Sequence, residues 1–170
     1  MKKMFLSMIA VAMVMAACSK ADVATPLEVD TTVTAYITGY VTYEPNTTAT
    51  NPTTFVPSNN VVINATVDYA DLNGFAASGA LPVATSYNAS TGMYTISVPA
   101  PRNATTPTSV SISVSGFAGT QTQFVGGGPA TTNVSGFYNP ATANFTQSVE
   151  AGQTVLGSTI TFTFQPSPVN

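Results

Sequence analysis

The chain reads as an all-β protein: a single antiparallel β-sandwich of about seven to nine strands, preceded by an apolar signal helix and a flexible tether. Three observations predict this. Residues 33–42 alternate strictly between a β-branched or small residue and a Thr or Tyr, the period-two pattern of a half-buried strand. Clusters of Gly, Pro, Asn and Ser then recur at fairly even spacing between short apolar runs, as the turns of a sandwich do. Finally, no segment after residue 17 has a convincing helical period.

The N-terminus comes first. Met1-Lys2-Lys3 is a short cationic start, followed by an apolar run from Met4 to Ala17 broken only by Ser7. These are the n-region and h-region of a secretory signal. The run is shorter than the ~20 residues a helix needs to cross ~30 Å of hydrocarbon. It ends Met15-Ala16-Ala17-Cys18, with small residues before the only cysteine of the chain. This tetrad resembles the lipobox of bacterial lipoproteins, with Met15 where Leu is commoner. The resemblance covers residues 1–18 and implies cleavage before Cys18, a diacylglyceryl thioether on its sulfur and usually an N-acyl chain as well. Two or more acyl chains anchor a protein stably, at ~0.8 kcal/mol per buried methylene. The alternative is an ordinary secretory signal with a buried cysteine nearby, but a lone cysteine has no internal disulfide partner.

Residues 18–31 read as the lipidated tether, polar, aperiodic and interrupted by Pro26. Within it Asp30-Thr31-Thr32 resembles the O-glycosylation site of Bacteroidetes-type exported proteins, making Thr31 a candidate for modification; a strand-entry Asp-Thr is the competing reading. Ser19 follows the cysteine, so the Asp that retains many lipoproteins on the inner membrane is missing and the outer membrane is expected.

Residues 32–166 form the expected domain. In the first strand Val33, Ala35, Ile37, Gly39 and Val41 share one face, and Thr34, Tyr36, Thr38, Tyr40 and Thr42 the other. The second face, with Tyr36 and Tyr40, is either solvated or a platform for a ligand. Residues 44–60 hold three prolines and no period, a long loop of the kind that is functional or disordered. A strand from Val61 to Tyr69 places Val61, Ile63, Ala65 and Val67 inward, and Asp71-Leu72-Asn73-Gly74 reads as a turn capped by Asp71. Strands are expected at Val83–Tyr87, Met93–Val98, Ser109–Ser115 and Thr120–Val125, the first two joined by the turn Asn88–Gly92. Gly126-Gly127-Gly128-Pro129 cannot be strand interior. Weaker strands follow at Val134–Tyr138 and Asn144–Val149, separated by Asn139-Pro140, and a last strand from Thr154 to Gln165 should put Leu156, Ile160, Phe162 and Phe164 on one face. Residues 167–170 are a frayed tail.

A second resemblance rests on these strands. Ile37-Thr38-Gly39-Tyr40-Val41 resembles the opening Gly-x-Val strand of carboxypeptidase-regulatory-like, transthyretin-like domains. Ser90-Thr91-Gly92-Met93-Tyr94-Thr95-Ile96-Ser97-Val98-Pro99 resembles their Gly-x-Tyr hairpin, and Val110–Gly116 the strand after it. The match spans about residues 33–125 and implies an Ig-like sandwich serving as a non-catalytic accessory or adhesion module. The long 44–60 loop and residues 126–150 depart from the pattern.

Composition narrows the function. Beyond the signal, Lys20 and Arg102 face seven acids, so phosphate-rich nucleic acid is not an expected partner. There is no His, no Trp and no Cys other than Cys18, which excludes Ser-His-Asp and Cys-His catalysis and zinc or copper sites built on those ligands. No cofactor is expected. Asp68, Asp71 and Asn73 near a turn glycine are weak calcium candidates, without the closing Glu of an EF-hand loop. Asp68 and Asp71, with Glu44 or Glu150, are the only candidates for a glycosidase carboxylate pair, and the aromatic Trp platforms common to such enzymes are absent. Gly126–Gly128 lacks the Lys and helix of a phosphate loop. The Asn-x-Ser/Thr sequences at Asn46, Asn64, Asn88, Asn103, Asn133 and Asn144 follow from the abundance of those residues.

The leading expectation is a non-enzymatic lipoprotein, held on a membrane by its lipid and binding a protein or glycan partner at the cell surface or in the periplasm. The rival is a structural, fimbrial-type subunit assembled by strand exchange. Arg102, the only Arg, lies mid-domain rather than near the first strand, where such subunits are often activated by cleavage. An enzyme ranks third.

Overall fold

The computed structural model describes residues 33–48, 60–73, 79–102, 106–126 and 128–168; the signal segment, Cys18, the tether and Thr31 lie outside them. The described chain is all-β. Its strands are β1 (Thr34–Thr42), β2 (Val62–Asp68), β3 (Ala80–Asn88), β4 (Met93–Pro99), β5 (Thr108–Ser115), β6 (Phe117–Phe124), β7 (Thr131–Pro140), β8 (Asn144–Val149), β9 (Thr154–Leu156) and β10 (Ile160–Pro166), with one helical turn, α1 (Tyr69–Asn73), after β2. They hydrogen-bond into one path, β6-β7-β10-β1-β4-β3-β2-β5-β8, with β9 also on β1.

Two strands make this path curl. β3 pairs with β2 through residues 80–83 and with β4 through residues 84–88, so it turns the corner between two parts of the sheet. β1 pairs along its length with β4, and its other edge takes β9 at Tyr36–Thr38 and β10 at Val41–Thr42. The curl brings β8 back close to β1, and the concave side closes over the core. Ala35, Ile37, Val41, Ile63, Ala65, Val67, Ile96, Val98, Val110, Ile112 and Val149 fill it. One end is aromatic: the Phe117 and Tyr138 rings stack at 5.1 Å, and Tyr43 meets Tyr138 edge-on at 4.8 Å, geometries favoured by the ring quadrupoles.

Burial follows the alternation expected for β1 and β2. Ala35, Ile37, Gly39 and Val41 face inward while Tyr36 and Tyr40 face out, and Val61, Ile63, Ala65 and Val67 are all buried. The turn 88–92 is a hairpin connection whose chemistry is local. The Asn88 side-chain oxygen accepts from the Ser90 and Thr91 amides, and Gly92 adopts φ +68°, which a side chain would disfavour.

Several expectations are corrected. The sheet is mixed and curled into a half-barrel, with ten strands, rather than a purely antiparallel sandwich of seven to nine. The C-terminal stretch returns alongside β1 in the same direction, so both β9 and β10 pair with it in parallel. That stretch is also two strands rather than one. Residues 157–159 interrupt it, and the interruption turns Leu156 outward, 75 % exposed, while Val155 packs against the core and Ile160 and Phe162 are buried. β7 extends from Thr131 through Pro140, because both its edges are taken, by β6 and β10. α1 is a single turn, too short to carry a periodic signal. Asp68, not Asp71, caps it. The tail is not free at Ser167, whose amide donates to the Ser135 carbonyl at 2.9 Å.

Candidate functional site

The convex surface of the sheet presents two chemically different faces. The first is centred on β1. Register places Tyr36 between Ser97 of β4 and Thr154 of β9, Thr38 between Thr95 and Leu156, and Tyr40 opposite Met93. Thr95 continues to Ser86 of β3, and Ser97 to Ala84. Tyr36 is 41 % and Tyr40 49 % exposed, with Met93 and Leu156 exposed beside them. The face therefore carries aromatic and apolar surface among hydroxyls, and none of these residues is charged. Its composition has a local cause: β-branched and aromatic side chains on neighbouring extended strands stand side by side on one pleated surface.

The sequence pointed to Tyr36 and Tyr40, and the structure places both on this face. Met93 and Leu156 were missed. Met93 begins the hairpin strand and joins Tyr40 only through cross-strand register. Leu156 joins only because the chain breaks at residues 157–159. A single sequence carries no signal for either.

The second face is rich in hydroxyl and amide side chains, with Val62 exposed at its margin. Asn64, Ser113 and Asn144 line up across β2, β5 and β8, as do Thr66, Ser111 and Thr146. Together they line an open depression of about 570 Å³.

The calcium candidates part company. Asp68 Oδ1 accepts from the Ala70 amide at 2.9 Å and the Gly79 amide at 3.2 Å, while the Gly79 carbonyl accepts from the Tyr69 amide at 2.7 Å. Asp68 is thus the N-cap of α1 and closes the connection to β3, as an aspartate at that position does. Asp71 is exposed in the helical turn. Among the described residues no three His, Cys, Asp or Glu side chains gather in a metal-binding group. The Gly126 turn closes the β6–β7 hairpin, with the Val125 amide donating to the Ala130 carbonyl at 2.8 Å and φ +58° at Gly126.

The perturbed ionisable groups lie inside the domain, away from both faces. Burial raises the Tyr43 hydroxyl above its ordinary range and pushes Tyr94 up to about 12. Burial, with Tyr43 and Glu44 adding to it, pushes Tyr138 up to about 12 as well. These hydroxyls work as hydrogen-bond donors: Tyr94 to the Ser158 carbonyl at 2.7 Å, Tyr138 to the Thr120 carbonyl at 3.0 Å.

No family model, curated protein or solved structure matches the chain. No helix among the described residues is long and apolar enough to cross a membrane.

Proposed function

We propose that this chain is a non-enzymatic binding module, tethered to the bacterial outer membrane through a lipid on Cys18, and that the β1-centred face holds a neutral glycan. The observation that carries the reading is the uncharged group of Tyr36, Tyr40, Met93 and Leu156 exposed among Thr and Ser hydroxyls. A sugar ring has an apolar C–H face and a polar rim. Exposed tyrosines match the first, and their hydroxyls with those of Thr38 and Thr95 match the second. A protein partner on the same face is the alternative. The lipobox residues Met15–Cys18 support the anchor. The resemblance to transthyretin-like accessory domains supports a non-catalytic role. Its two motif residues, Gly39 and Tyr94, are direct partners across β1 and β4.

Binding of the full chain to arrays of neutral polysaccharides tests the ligand. The expected result is retention that Tyr36→Ala/Tyr40→Ala abolishes while the melting temperature holds, because both residues are exposed. Retention that survives the double variant places the ligand elsewhere, and no retention on any neutral glycan rejects this ligand class. Fatty-acid labelling tests the anchor: label should be lost in Cys18→Ala.

A further inference from the structure

The two ends of the sheet are treated differently by the chain. At the β6 end residues 45–47 lie against the edge: the Thr47 amide donates to the Thr122 carbonyl at 3.0 Å and the Thr122 amide to the Pro45 carbonyl at 2.8 Å. At the other end is β8, whose only strand partner among the described residues is β5. The Val114 amide donates to the Ala143 carbonyl at 2.8 Å. That bond fixes the phase of the ladder, because hydrogen-bonded and non-hydrogen-bonded pairs alternate. Residues 143, 145, 147 and 149 bond to β5. Asn144, Thr146 and Ser148 aim their amides and carbonyls away from it, and among the described residues nothing receives them.

Natural proteins protect such an edge with Lys, Pro, a bulge or a covering segment. The β8 sequence, Asn-Phe-Thr-Gln-Ser-Val, has no charge and no proline, and its register with β5 runs unbroken from 144 to 149.

We propose that β8 is a self-association edge, on which a second copy of this chain pairs antiparallel about a two-fold axis at Thr146. The strand fits itself. Thr146 would meet its own copy, and Asn144 would meet Ser148, each such pair exchanging two backbone hydrogen bonds. The outer side chains brought together are Thr with Thr, a favourable cross-strand pair, and Asn with Ser, which are both uncharged. The mature chain is acidic, and because β8 carries no charged residue the pairing brings no like charges together along the strand. The row Thr66–Ser111–Thr146 would then continue into the second copy, joining the two depressions into one surface.

Disulfide trapping tests the pairing in the full chain carrying Cys18→Ser. In a hydrogen-bonded antiparallel pair the Cα atoms stand ~5.5 Å apart, within disulfide reach. Thr146→Cys should therefore cross-link to a covalent dimer on mild oxidation. Asn64→Cys, on the same face two strands inward, should not. Ser148→Pro and Thr146→Lys, which remove an edge donor and place like charges on the axis, should each shift the uncross-linked chain to monomer in sedimentation; Thr146→Lys serves if the proline variant fails to fold. Three outcomes overturn the proposal: no dimer from Thr146→Cys at submillimolar concentration, equal cross-linking from Asn64→Cys, or a dimer that survives in folded Thr146→Lys. A chain that stays monomeric yet takes up a foreign extended peptide along β8 overturns it too, in favour of an edge built for another protein.

Discussion

Tyr94 of β4 lies directly over Gly39 of β1, and a Cβ built on Gly39 would stand 2.5 Å from the ring. The ring reaches on to the β9–β10 junction. There the Tyr94 hydroxyl bonds the Ser158 carbonyl, and a Cβ on Gly157 would come 2.6 Å from the same oxygen and 2.8 Å from Ile37. The Gly157 amide donates to the Thr38 carbonyl at 2.7 Å. One tyrosine, two glycines and two carbonyls thus join β4, β1 and the break between β9 and β10. The ring covers the backbone a glycine leaves bare, and the glycines leave room for the ring. Tyr138 sits over Gly119 in the same way at the aromatic end.

The first prediction follows from that fit. Gly39→Ala should destabilise the domain by about 1–3 kcal/mol, the cost of overfilling a packed core. Tyr94→Phe should cost about 1 kcal/mol, by leaving the Ser158 carbonyl without its donor. The two positions touch, so their effects should not add: Gly39→Ala should cost measurably less in a Tyr94→Ala background than alone. Denaturant titrations of the four variants close the cycle, and strict additivity would show that the contact is not tight.

Alkali should unfold the domain through the same buried tyrosines. Tyr94 and Tyr138 have folded values near 12 against an unfolded 10.0. Below pH 10 neither state is ionised and this contribution to stability is fully present. As pH rises from 10 to about 12 the unfolded chain loses its phenolic protons while the folded one keeps them, so stability is lost across that window. Denaturation midpoints should fall between pH 10 and 12, and the fall should be shallower in Tyr94→Phe/Tyr138→Phe. An unchanged slope in the double variant would assign the loss to other groups.

The β1 register is tested by neighbours. Ile37 has no exposed surface and Tyr36 is 41 % exposed. Ile37→Asp puts an unpaired carboxylate in the core, a penalty that rivals the ~5–15 kcal/mol total stability of a domain, and should abolish the cooperative melt. Tyr36→Ser should change stability by no more than about 0.5 kcal/mol. The reverse ranking would mean that every β1 side chain faces the other way.

How much of this was legible in the sequence depends on how local each cause is. β1 and β2 were readable because one face of each is uniformly buried and the period is two. The hairpin turn was readable because Asn88 and Gly92 act on backbone within four residues. The parallel pairing of β9 and β10 with β1 was not, since it joins residues more than a hundred positions apart. Nor was the break at residues 157–159: Thr154 to Gln165 alternates well enough for one strand, and the contacts made at the break, the Tyr94–Ser158 bond and the Gly157 amide on the Thr38 carbonyl, come from distant strands. For the candidate face, the two tyrosines were legible from β1 alone, whereas Met93 and Leu156 came from other strands by register.

The final prediction separates capping from cation binding at Asp68. Both N–H groups that Asp68 Oδ1 accepts are backbone amides, of Ala70 at the start of α1 and of Gly79 just before β3. An aspartate used this way fixes the turn without a metal. Asp68→Ala should then cost about 1 kcal/mol, the usual loss for an N-cap, and lower the melting temperature by about 3–4 °C for a domain of this size. Asp68→Asn keeps the acceptor oxygen and should cost less. Calcium gives the opposing test. A cation at ~100-fold its dissociation constant would add ~2.7 kcal/mol and raise the melting temperature by several degrees. Millimolar calcium or a chelator should instead move it by less than about 1 °C, in the wild type and in Asp71→Asn alike. A rise of several degrees that disappears in Asp71→Asn would make the Asp68–Asn73 turn a cation site. The ranking of Asp68→Ala against Asp68→Asn would then invert in meaning: with calcium present, losing the carboxylate charge alone would be enough to lower the melting temperature, whereas a cap responds only to losing the oxygen.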